Sequence, residues 1–404
     1  MKNKPLNILC ISSFLKGEDL IKSMHSLGNK VYLLASAKLK TEPWPWESIE
    51  EVFYMDEEAD LSWNMSNVVA GLAHTSRSIK FDRLIALDDF DVEKAAELRE
   101  HFRIPGMGQT TARYFRDKLA MRMRAEEFGI RVPKFCALFN DQEINKFADA
   151  NPAPWMLKPR SSATAAGIVK IQSRDDLWKE LDKLGDLRHR YLLEQFATGT
   201  VYHVDALNFD GKILFDRSSE YLATPFEVAN QGGIFRSQTL ERNSKIDVKL
   251  RALNAKLMKA FGMNYSATHS EFISGEKGKI YFLETASRVG GAHLAEMVEM
   301  SSGINLWEQW AVIEDAVARG KKYKLPKNKE VQAGIIVSLS RFQNPDHEPF
   351  SAKEVVWCLK KDWHIGMIVA SKKHQRVREL LDLYAERIAK DYHASLPPEE
   401  TQLN

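Results

Sequence analysis

The chain has 404 residues, of which 57 are Lys or Arg and 55 are Asp or Glu, so its net charge at pH 7 is only +2. This near-balance gives no electrostatic reason to expect nucleic acid or an acidic membrane as a partner. A composition of 44% hydrophobic and 28% charged residues excludes a disordered chain, and the length predicts two or three packed units.

Residues 1–115 alternate short apolar runs with amphipathic stretches, which predicts a Rossmann-like α/β unit. No GxGxxG follows the first strand, so a nicotinamide oxidoreductase is poorly supported. The acidic loop Asp88–Asp91 lies where ligands of such sheets dock, although its aspartates could equally cap the next helix. The predicted strands are Ile8–Ile11, Val31–Ala35, Glu51–Met55 and Arg83–Leu87, and the predicted helices are Asp19–Leu27, Leu61–Ile79 and Val92–Phe102.

The rest of the chain is predicted to mix helices and strands. One helix is expected from Thr110 to Phe128, because Gly129 can cap it and Pro133 prevents its continuation. The last unit, residues 321–404, is predicted to contain strands at Ala333–Leu339 and Gly366–Ala370 and a helix at Gln375–Tyr392.

A hairpin rich in small residues is the first segment that suggests a ligand. Lys158 ends a strand-like run and could face a phosphate or the edge of a base. Small side chains let backbone N–H groups approach a phosphate closely, so the hairpin tip predicts a phosphate-covering lid. An exposed hairpin with a surface lysine explains this segment equally well. The predicted lid residues are Ser161, Ser162, Ala163, Thr164, Ala165, Ala166 and Gly167.

The next strand ends in polar groups shortly before Gly199. The backbone of such a strand end can hold the edge of an adenine between apolar neighbours. Glu194, Gln195 and Phe196 are therefore candidate adenine contacts, although alone they indicate no more than a strand end.

Two glutamates on a predicted hairpin are the most informative feature. If Ser274 pairs with Lys279, Glu271 faces Phe282, and Glu284 lies on the same face at a Cα distance of about 7–8 Å. Two carboxylates among aromatic residues are costly to bury without a cation. Their hard oxygen atoms suit Mg²⁺, with Mn²⁺ as a substitute. A solvated edge with two unrelated acids is the alternative.

Arg288 follows the second glutamate at a spacing that could bring a fixed positive charge to a transferring phosphoryl group. Gly290 and Gly291 leave room beside it for a substrate. The loop Tyr221–Phe235, with Arg236 after it, is a weaker candidate for covering a carboxylate substrate, and an ordinary surface loop is the alternative.

The order of these segments resembles the ATP-grasp superfamily, in particular its carboxylate–amine ligases such as the L-amino-acid ligases. The resemblance begins with Arg116-Asp117-Lys118 and Gly129-Ile130-Arg131-Val132-Pro133, which are similar to the opening of the family. The later matches are Lys158, the small-residue loop, Glu194–Phe196, Gly199, Glu271, Glu284, Arg288, Gly290 and Gly291.

The resemblance implies a fold of three parts and an ATP-dependent reaction. The parts are a Rossmann-like pre-ATP-grasp domain at 1–115, an ATP-grasp domain at 116–320 with its nucleotide lid at 134–192, and a C-terminal lobe at 321–404. The implied reaction activates a carboxylate, such as an amino acid, as an acyl phosphate and transfers it to an amine, releasing ADP and phosphate.

The resemblance also implies roles for single residues. Lys118 and Lys158 would bind ATP, and the small-residue loop would cover its phosphates. Glu271 and Glu284 would ligate Mg²⁺, and Arg288 would stabilise the acyl phosphate and its tetrahedral successor. Glu194, Gln195 and Phe196 would hold the adenine.

Two departures from the family pattern keep other functions open. Ala286 stands where many members have a metal-binding Asn, and Val201 where many have an acid that contacts ribose. His203 and Asp205 are candidate replacements for the ribose contact. The alternatives are a ligase or carboxylase with another nucleophile, and a nucleotide-binding protein without catalysis.

Cysteine usage indicates a location. Cys10, Cys136 and Cys358 are far apart and form no CxxC spacing, so neither a disulfide framework nor a zinc site is expected. A reducing cytoplasm is the simplest expectation. No stretch approaches the roughly 20 apolar residues of a membrane span. The nine tryptophans leave room for a homodimer face.

Overall fold

The computed structural model describes residues 4–58, 62–162, 167–275 and 278–395. These residues form three β-sheets with helices packed against them. No helix in these ranges combines the length and the hydropathy that a membrane span requires.

The first sheet is parallel, with the strand order β3-β2-β1-β4. The four predicted strands are confirmed: β1, β2 and β4 are mostly buried, and β3 lies at the edge of the sheet and is only partly buried. The second helix begins only after Asn64, whose side chain accepts a hydrogen bond from the backbone N–H of Asn67 and so caps it. The elements are β1 (Asn7–Ser12), α1 (Glu18–Ser26), β2 (Lys30–Ser36), β3 (Glu51–Met55), α2 (Met65–Thr75), β4 (Arg83–Ala86) and α3 (Val92–Phe102).

The single helix predicted from Thr110 to Phe128 is wrong. The structure has two helices, α4 (Gln109–Arg113) and α5 (Lys118–Glu127), separated by a turn. The side chain of Asp117 accepts hydrogen bonds from the backbone N–H groups of Leu119 and Ala120, and this cap starts a new helix.

A second, antiparallel sheet forms a lid domain with the strand order β5-β8-β6-β7. Its inner face is apolar, and two helices cover that face, with Leu157 and Leu193 packed against Leu177 and Leu181. Its elements are β5 (Phe135–Ala137), α6 (Asp141–Ala150), β6 (Trp155–Pro159), β7 (Val169–Ile171), α7 (Arg174–Leu184) and β8 (Tyr191–Gln195).

The third sheet has eight strands in the order β13-β12-β9-β10-β11-β14-β16-β15. We call it the central sheet. The strands predicted for the last unit continue this sheet, so residues 201–286 and the C-terminal strands share one hydrogen-bonded layer; the predicted boundaries of the three units stay predictions. Its strands are β9 (Val201–Phe209), β10 (Lys212–Tyr221), β11 (Phe235–Thr239), β12 (Ser266–Ser274), β13 (Ile280–Ala286), β14 (Gln332–Leu339), β15 (Val355–Cys358) and β16 (His364–Ser371).

Five helices accompany the central sheet, and one of them joins it to the parallel sheet. The helix α11 buries Trp310 and Ile313 in a core that also contains Ile8 of β1 and Leu207 of β9. This shared core fixes the parallel sheet against the central sheet. The helices are α8 (Pro225–Gln231), α9 (Lys245–Phe261), α10 (Leu294–Ser302), α11 (Leu306–Ala318) and α12 (His374–Asp391).

Candidate active site

A cleft of about 630 Å³ lies between the lid domain and the central sheet. Its walls come from strands β6 and β8 of the lid and from β10, β12 and β13 of the central sheet. Most of the residues singled out from the sequence line it, although they are distributed over some 170 positions of the chain. The predicted residues in its walls are Lys118, Lys158, Ser162, Glu194, Gln195, Phe196, Glu271, Glu284, Arg288 and Gly291.

The two glutamates are closer than the sequence predicts. The predicted pairing of Ser274 with Lys279 is wrong, because Ser274 pairs with Ile280. A β-bulge then leaves Leu283 without a partner on β12, and Glu271 lies directly opposite Glu284. Residues in this relation have Cβ atoms about 4.5–5.5 Å apart. The bulge therefore turns a diagonal pair of acids into a facing pair.

Glu284 forms an ion pair with a lysine. The ammonium of Lys118, at the start of α5, lies 2.8 Å from Glu284 Oε2 and also donates to the carbonyl of Ser162 at 2.9 Å. Desolvation acts to raise the pKa of Glu284, but the charge and hydrogen bond of Lys118 lower it. Lys118 thus connects the acid to the edge of the predicted phosphate lid.

Glu271 is held by hydrogen bonds from the floor of the cleft. The Tyr221 hydroxyl donates to Glu271 Oε1 at 2.8 Å, and His269 Nε2 lies 3.5 Å from the same oxygen. Behind them, Asp205 forms two hydrogen bonds of 2.8 Å: its Oδ2 atom pairs with His203 Nδ1, and its Oδ1 atom pairs with His269 Nδ1. We call His203, Asp205, Tyr221 and His269 the floor network.

Burial and charge together set the protonation of this floor network. Desolvation acts to lower the pKa of His269, but Asp205 and Glu271 outweigh it and raise this pKa to about 10. Burial raises the pKa of Tyr221, and the neighbouring Glu271 raises it further, so the phenol stays a donor. Against its own desolvation, Asp205 has a lowered pKa because two histidines face it.

The lid side of the cleft contains a network of ion pairs. Arg122, which is fully buried, pairs with Glu194 Oε1, and Lys158 Nζ lies 2.6 Å from Glu194 Oε2. Burial acts to raise the pKa of Glu194, but these two cations lower it to about 2. We call Lys118, Arg122, Lys158 and Glu194 the lid-side network.

The segment that joins the lid to the central sheet passes very close to the backbone of β12. Gly199 has a φ of +144°, and a Cβ atom there would lie 1.6 Å from the carbonyl oxygen of Ser274. Only glycine permits this close approach of two backbones. It places Gln195 and Phe196 at the mouth of the cleft, where the Lys170 ammonium lies 4.0 Å from the centre of the Phe196 ring.

Arg288 links the cleft to the parallel sheet. Its Nε atom donates to Asp89 Oδ2 at 2.8 Å, and Asp89 lies in the acidic loop after β4. Although burial acts to raise the pKa of Asp89, Arg288 and Arg116 lower it. The other two aspartates of the loop have structural partners: Asp88 caps the following turn and Asp91 binds the backbone N–H and hydroxyl of Ser13.

Several predicted residues are not brought into the cleft. Arg236 instead forms an ion pair with Asp382 on α12. His203, together with Asp205, is completely buried in the floor network and does not line the cleft. A Cβ atom at Gly290 would meet Asp205 and His269 within 3 Å, so this glycine makes room for the floor network.

The predicted phosphate lid is described only at its two ends. Ser161 and Ser162 turn their carbonyl groups toward Arg116 and Lys118, respectively, and Gly167 has a left-handed φ of 69°. Ala163, Thr164, Ala165 and Ala166 lie outside the described residues. The same holds for Glu276 and Lys277 in the predicted turn of the β12–β13 hairpin.

The predicted loop Tyr221–Phe235 contains the short helix α8. The hydroxyl of Thr224 and the carboxylate of Glu227 cap this helix reciprocally. Phe226, Val228 and Phe235 give the adjoining end of the cleft an apolar wall, and Leu294 lies among the same lining residues.

Arg122, Tyr221 and His269 contact the predicted residues of the site but were not predicted from the sequence. A signal existed for the histidine, because His269 and Glu271 are two residues apart on one strand and must face the same side. Arg122 follows Lys118 by one helical turn, so it too faces the cleft side of α5. Tyr221 was considered only as the first residue of a loop, whereas it ends β10.

Comparison with known proteins finds relatives by sequence. No protein-family model matches the chain. It is 27% identical to an L-arginine-specific L-amino acid ligase of Bacillus subtilis over 265 residues, which are 64% of this chain and 63% of that protein. It is 23% identical to a D-alanine–D-alanine ligase of Neisseria meningitidis over 181 residues, which are 44% of this chain and 59% of that ligase. The chain thus spans less than two thirds of the length of either relative.

Solved structures match nearly the whole chain. An L-amino acid ligase from Bacillus licheniformis superposes with a TM-score of 0.71 at 16% identity, covering 98% of this chain and 99% of that one. The chain is similar in sequence and in structure to ligases of the ATP-grasp superfamily. The predicted ATP-grasp fold is confirmed, with its parallel N-terminal sheet and its antiparallel central and C-terminal strands.

A second solved structure shows the same ATP-grasp architecture. N5-carboxyaminoimidazole synthetase from Staphylococcus aureus, complexed with ADP, superposes with a TM-score of 0.71 at 15% identity and covers 95% of this chain and 98% of that one. At such identities the likeness concerns the ATP-grasp fold, while the chemistry of this chain rests on its own cleft.

Proposed function

We propose that this ATP-grasp protein is an ADP-forming carboxylate–amine ligase. The observation that carries the proposal is the facing pair Glu271 and Glu284, which shares one cleft with Lys118, Lys158 and Arg288. Two acids and three cations around a cleft of this size fit a magnesium–nucleotide complex better than an uncharged ligand. The names of the Bacillus relatives, both L-amino acid ligases, support this class of reaction.

In this proposal the lid domain binds ATP. The ammonium of Lys158 contacts a phosphate or the adenine edge, and the backbone at Gln195 and Phe196 holds the adenine between apolar side chains. The lid-side network keeps Lys158 in place, because Glu194 is ionised and fixed from its other side by Arg122. Lys118 joins the phosphates from α5, and the loop from Ser161 to Gly167 covers them.

The acids fit a divalent cation. Glu271 and Glu284 offer hard carboxylate oxygens from neighbouring strands, and both face the cleft. Mg²⁺ prefers such ligands and keeps part of its coordination for water and phosphate oxygens, and Mn²⁺ accepts the same set. When bound, the cation supplies charge neutralisation between the phosphates. Ala286 stands where many family members have a metal-binding Asn, so water and substrate would supply the remaining ligands.

The reaction has two displacements, and the cleft serves both by positioning and charge. A carboxylate oxygen attacks the γ-phosphorus, the bond from this phosphorus to the β–γ bridging oxygen breaks, and ADP leaves. The amine nitrogen then attacks the acyl carbon, phosphate leaves, and the amine proton passes to phosphate or water. The Arg288 guanidinium, fixed by Asp89, stabilises the negative charge that develops on the acyl group.

We propose the chemical class of the two substrates. They are a small carboxylate, such as an amino acid, and an amine, which enter beside Gly291 and the apolar wall of α8. A reducing location such as the cytoplasm is part of the proposal, since Cys10, Cys136 and Cys358 are all free thiols.

The test is a screen of amino-acid pairs with the full chain, Mg²⁺ and ATP. We expect ADP release that requires both amino acids, and a product whose mass equals their sum minus one water. The Glu271→Gln/Glu284→Gln double variant controls for contaminating ATPase activity and should release no substrate-dependent ADP. The Arg376→Ala variant, which removes a surface arginine paired with Glu354, should behave like wild type. ADP release that never depends on an amine would refute the ligase.

A further inference from the structure

Arg122 contacts two parts of the cleft at once. From α5 its Nε atom donates to Glu194 of the lid, and its Nη1 atom donates to the carbonyl of Leu283 in β13. The side chain is fully buried, and the guanidinium carbon lies 5.7 Å from the centre of the Phe282 ring. One guanidinium therefore crosslinks the lid sheet and the central sheet.

The carbonyl that Arg122 binds belongs to the bulge residue. Leu283 is the residue of β13 that has no partner on β12, and it directly precedes Glu284. A bulge leaves the ladder locally unpaired, so its polar groups need other partners. Arg122 provides one, and thereby stabilises the local register in which Glu284 faces Glu271.

The carboxylate that Arg122 binds controls the lid lysine. One carboxylate oxygen of Glu194 pairs with Arg122, and the other lies 2.6 Å from the Lys158 ammonium. A guanidinium is planar and carries several donors in fixed directions, so it can serve a carboxylate and a carbonyl together. A lysine ammonium at this position would be a single point of charge.

We infer that Arg122 is a positioning residue that couples the nucleotide side of the cleft to its metal side. It acts through Glu194 on Lys158 and through Leu283 on Glu284, without touching the substrates. The inference rests on the proposed function in one respect, namely that the cleft binds a nucleotide and a divalent cation. It does not depend on which substrates are joined.

The experiment separates the two contacts of Arg122 in the full chain. The binding of Mn²⁺ is measured by electron paramagnetic resonance of free Mn²⁺, and the binding of ADP by calorimetry in EDTA. The Arg122→Lys variant keeps a charge for Glu194 but loses the second donor, so Mn²⁺ affinity should fall about tenfold or more while ADP affinity changes less than about threefold.

A second variant removes the charge. In Arg122→Gln the partner of Glu194 is neutral, so the affinities for both ADP and Mn²⁺ should fall about tenfold. The matched control is Arg83→Lys, since Arg83 is also buried and paired with an acid, Glu314, but outside the cleft. This control should leave both affinities unchanged even where it lowers the melting temperature.

The outcomes are distinct. Unchanged Mn²⁺ affinity in both Arg122 variants would overturn the inference, as would an equal loss in Arg83→Lys, which would mark the effect as general destabilisation. If wild type binds ADP and Mn²⁺ and the Arg122 variants behave as expected, but no amino-acid pair yields a product, the inference stands and the ligase proposal fails.

Discussion

The two facing glutamates have partners of different kinds. Glu284 belongs with the lid-side network, whose cations are lysine and arginine and whose contacts connect two sheets. Glu271 belongs with the floor network, whose residues lie on strands of the central sheet and whose positive charge comes from histidine. The charge of the second network depends on an imidazole: burial acts to lower the pKa of His269, but Asp205 and Glu271 raise it to about 10, so the ring is charged near neutrality.

This difference explains how two carboxylates can face each other at close range. Each is compensated by a separate set of groups, so neither relies on the other's cation. The lid-side network includes Lys158 and Glu194 of the lid strands β6 and β8, whereas all four residues of the floor network lie on strands of the central sheet. Changes to the floor network should therefore affect stability and metal binding, and changes to the lid-side network should affect nucleotide binding.

The largest effect is expected from His269→Gln, measured as the free energy of unfolding in EDTA. Breaking a buried ion pair costs about 3–5 kcal/mol. The pKa of His269 is raised to about 10 in the folded protein, so its contribution is fully present below the unfolded pKa of about 6.5 and is lost as pH rises toward 10.

Urea titrations at pH 6, 8 and 10 test this prediction. The difference between wild type and His269→Gln should be largest at pH 6 and should have mostly disappeared at pH 10. The control His25→Gln changes an exposed histidine at the end of α1 and should have no such pH dependence. A constant difference across this range would contradict a charged His269.

Next in size is Arg288→Ala, which removes a cation that neither network supplies. Loss of one electrostatic donor to a developing negative charge lowers the rate about 10²–10³-fold, or about 2.7–4 kcal/mol. Steady-state ADP release that depends on carboxylate and amine measures it, with Arg376→Ala as the surface control. Near-normal turnover would remove Arg288 from the reaction.

Lys158→Met tests the lid-side network alone. Hydrogen bonds to charged groups contribute about 1.5–3 kcal/mol, so ADP affinity should fall about 10- to 100-fold. The unfolding free energy should change less, because Arg122 still pairs with Glu194. Calorimetric titration with ADP measures the affinity, and Lys183→Met, on the outer helix α7, is the control. Equal ADP affinity in both variants would exclude a nucleotide contact at Lys158.

The smallest effect is expected from Tyr221→Phe, which deletes one hydrogen bond of the floor network. Glu271 loses its donor, so Mn²⁺ affinity should fall about tenfold, while ADP affinity in EDTA stays unchanged. Tyr202→Phe, on the opposite face of β9, is the matched control. A loss of ADP affinity instead of Mn²⁺ affinity would show that the two networks are not separate.

The sequence predicts the fold well where burial alone decides the structure. The strands of the parallel sheet contain short apolar runs, and Ile8–Ile11 and Val31–Ala35 are fully or almost fully buried. The break between α4 and α5 was not predicted, because helix propensity is continuous there and only the cap at Asp117 decides it.

The site was predictable as a set of residues but not as a geometry. Lys158, Glu271 and Arg288 were singled out from their order along the chain, and all three line one cleft. Glu271 and Glu284 lie opposite each other because of the bulge at Leu283. The residue pattern of β13 does not predict this bulge, since a one-residue change of register leaves no mark in the sequence of an apolar strand. The contacts of Arg122 and Asp89 join residues 72 and 199 positions away and require the assembled sheets.

The pair of Asp89 with Arg288 has a consequence for how this protein could be divided. A fragment that starts at residue 116 would retain both walls of the cleft but would lose the anion that holds Arg288. Arg288 would then lack the acid that fixes the direction of its guanidinium. The N-terminal sheet therefore supports the cleft from outside, because Asp89 holds Arg288 without lining the cleft itself.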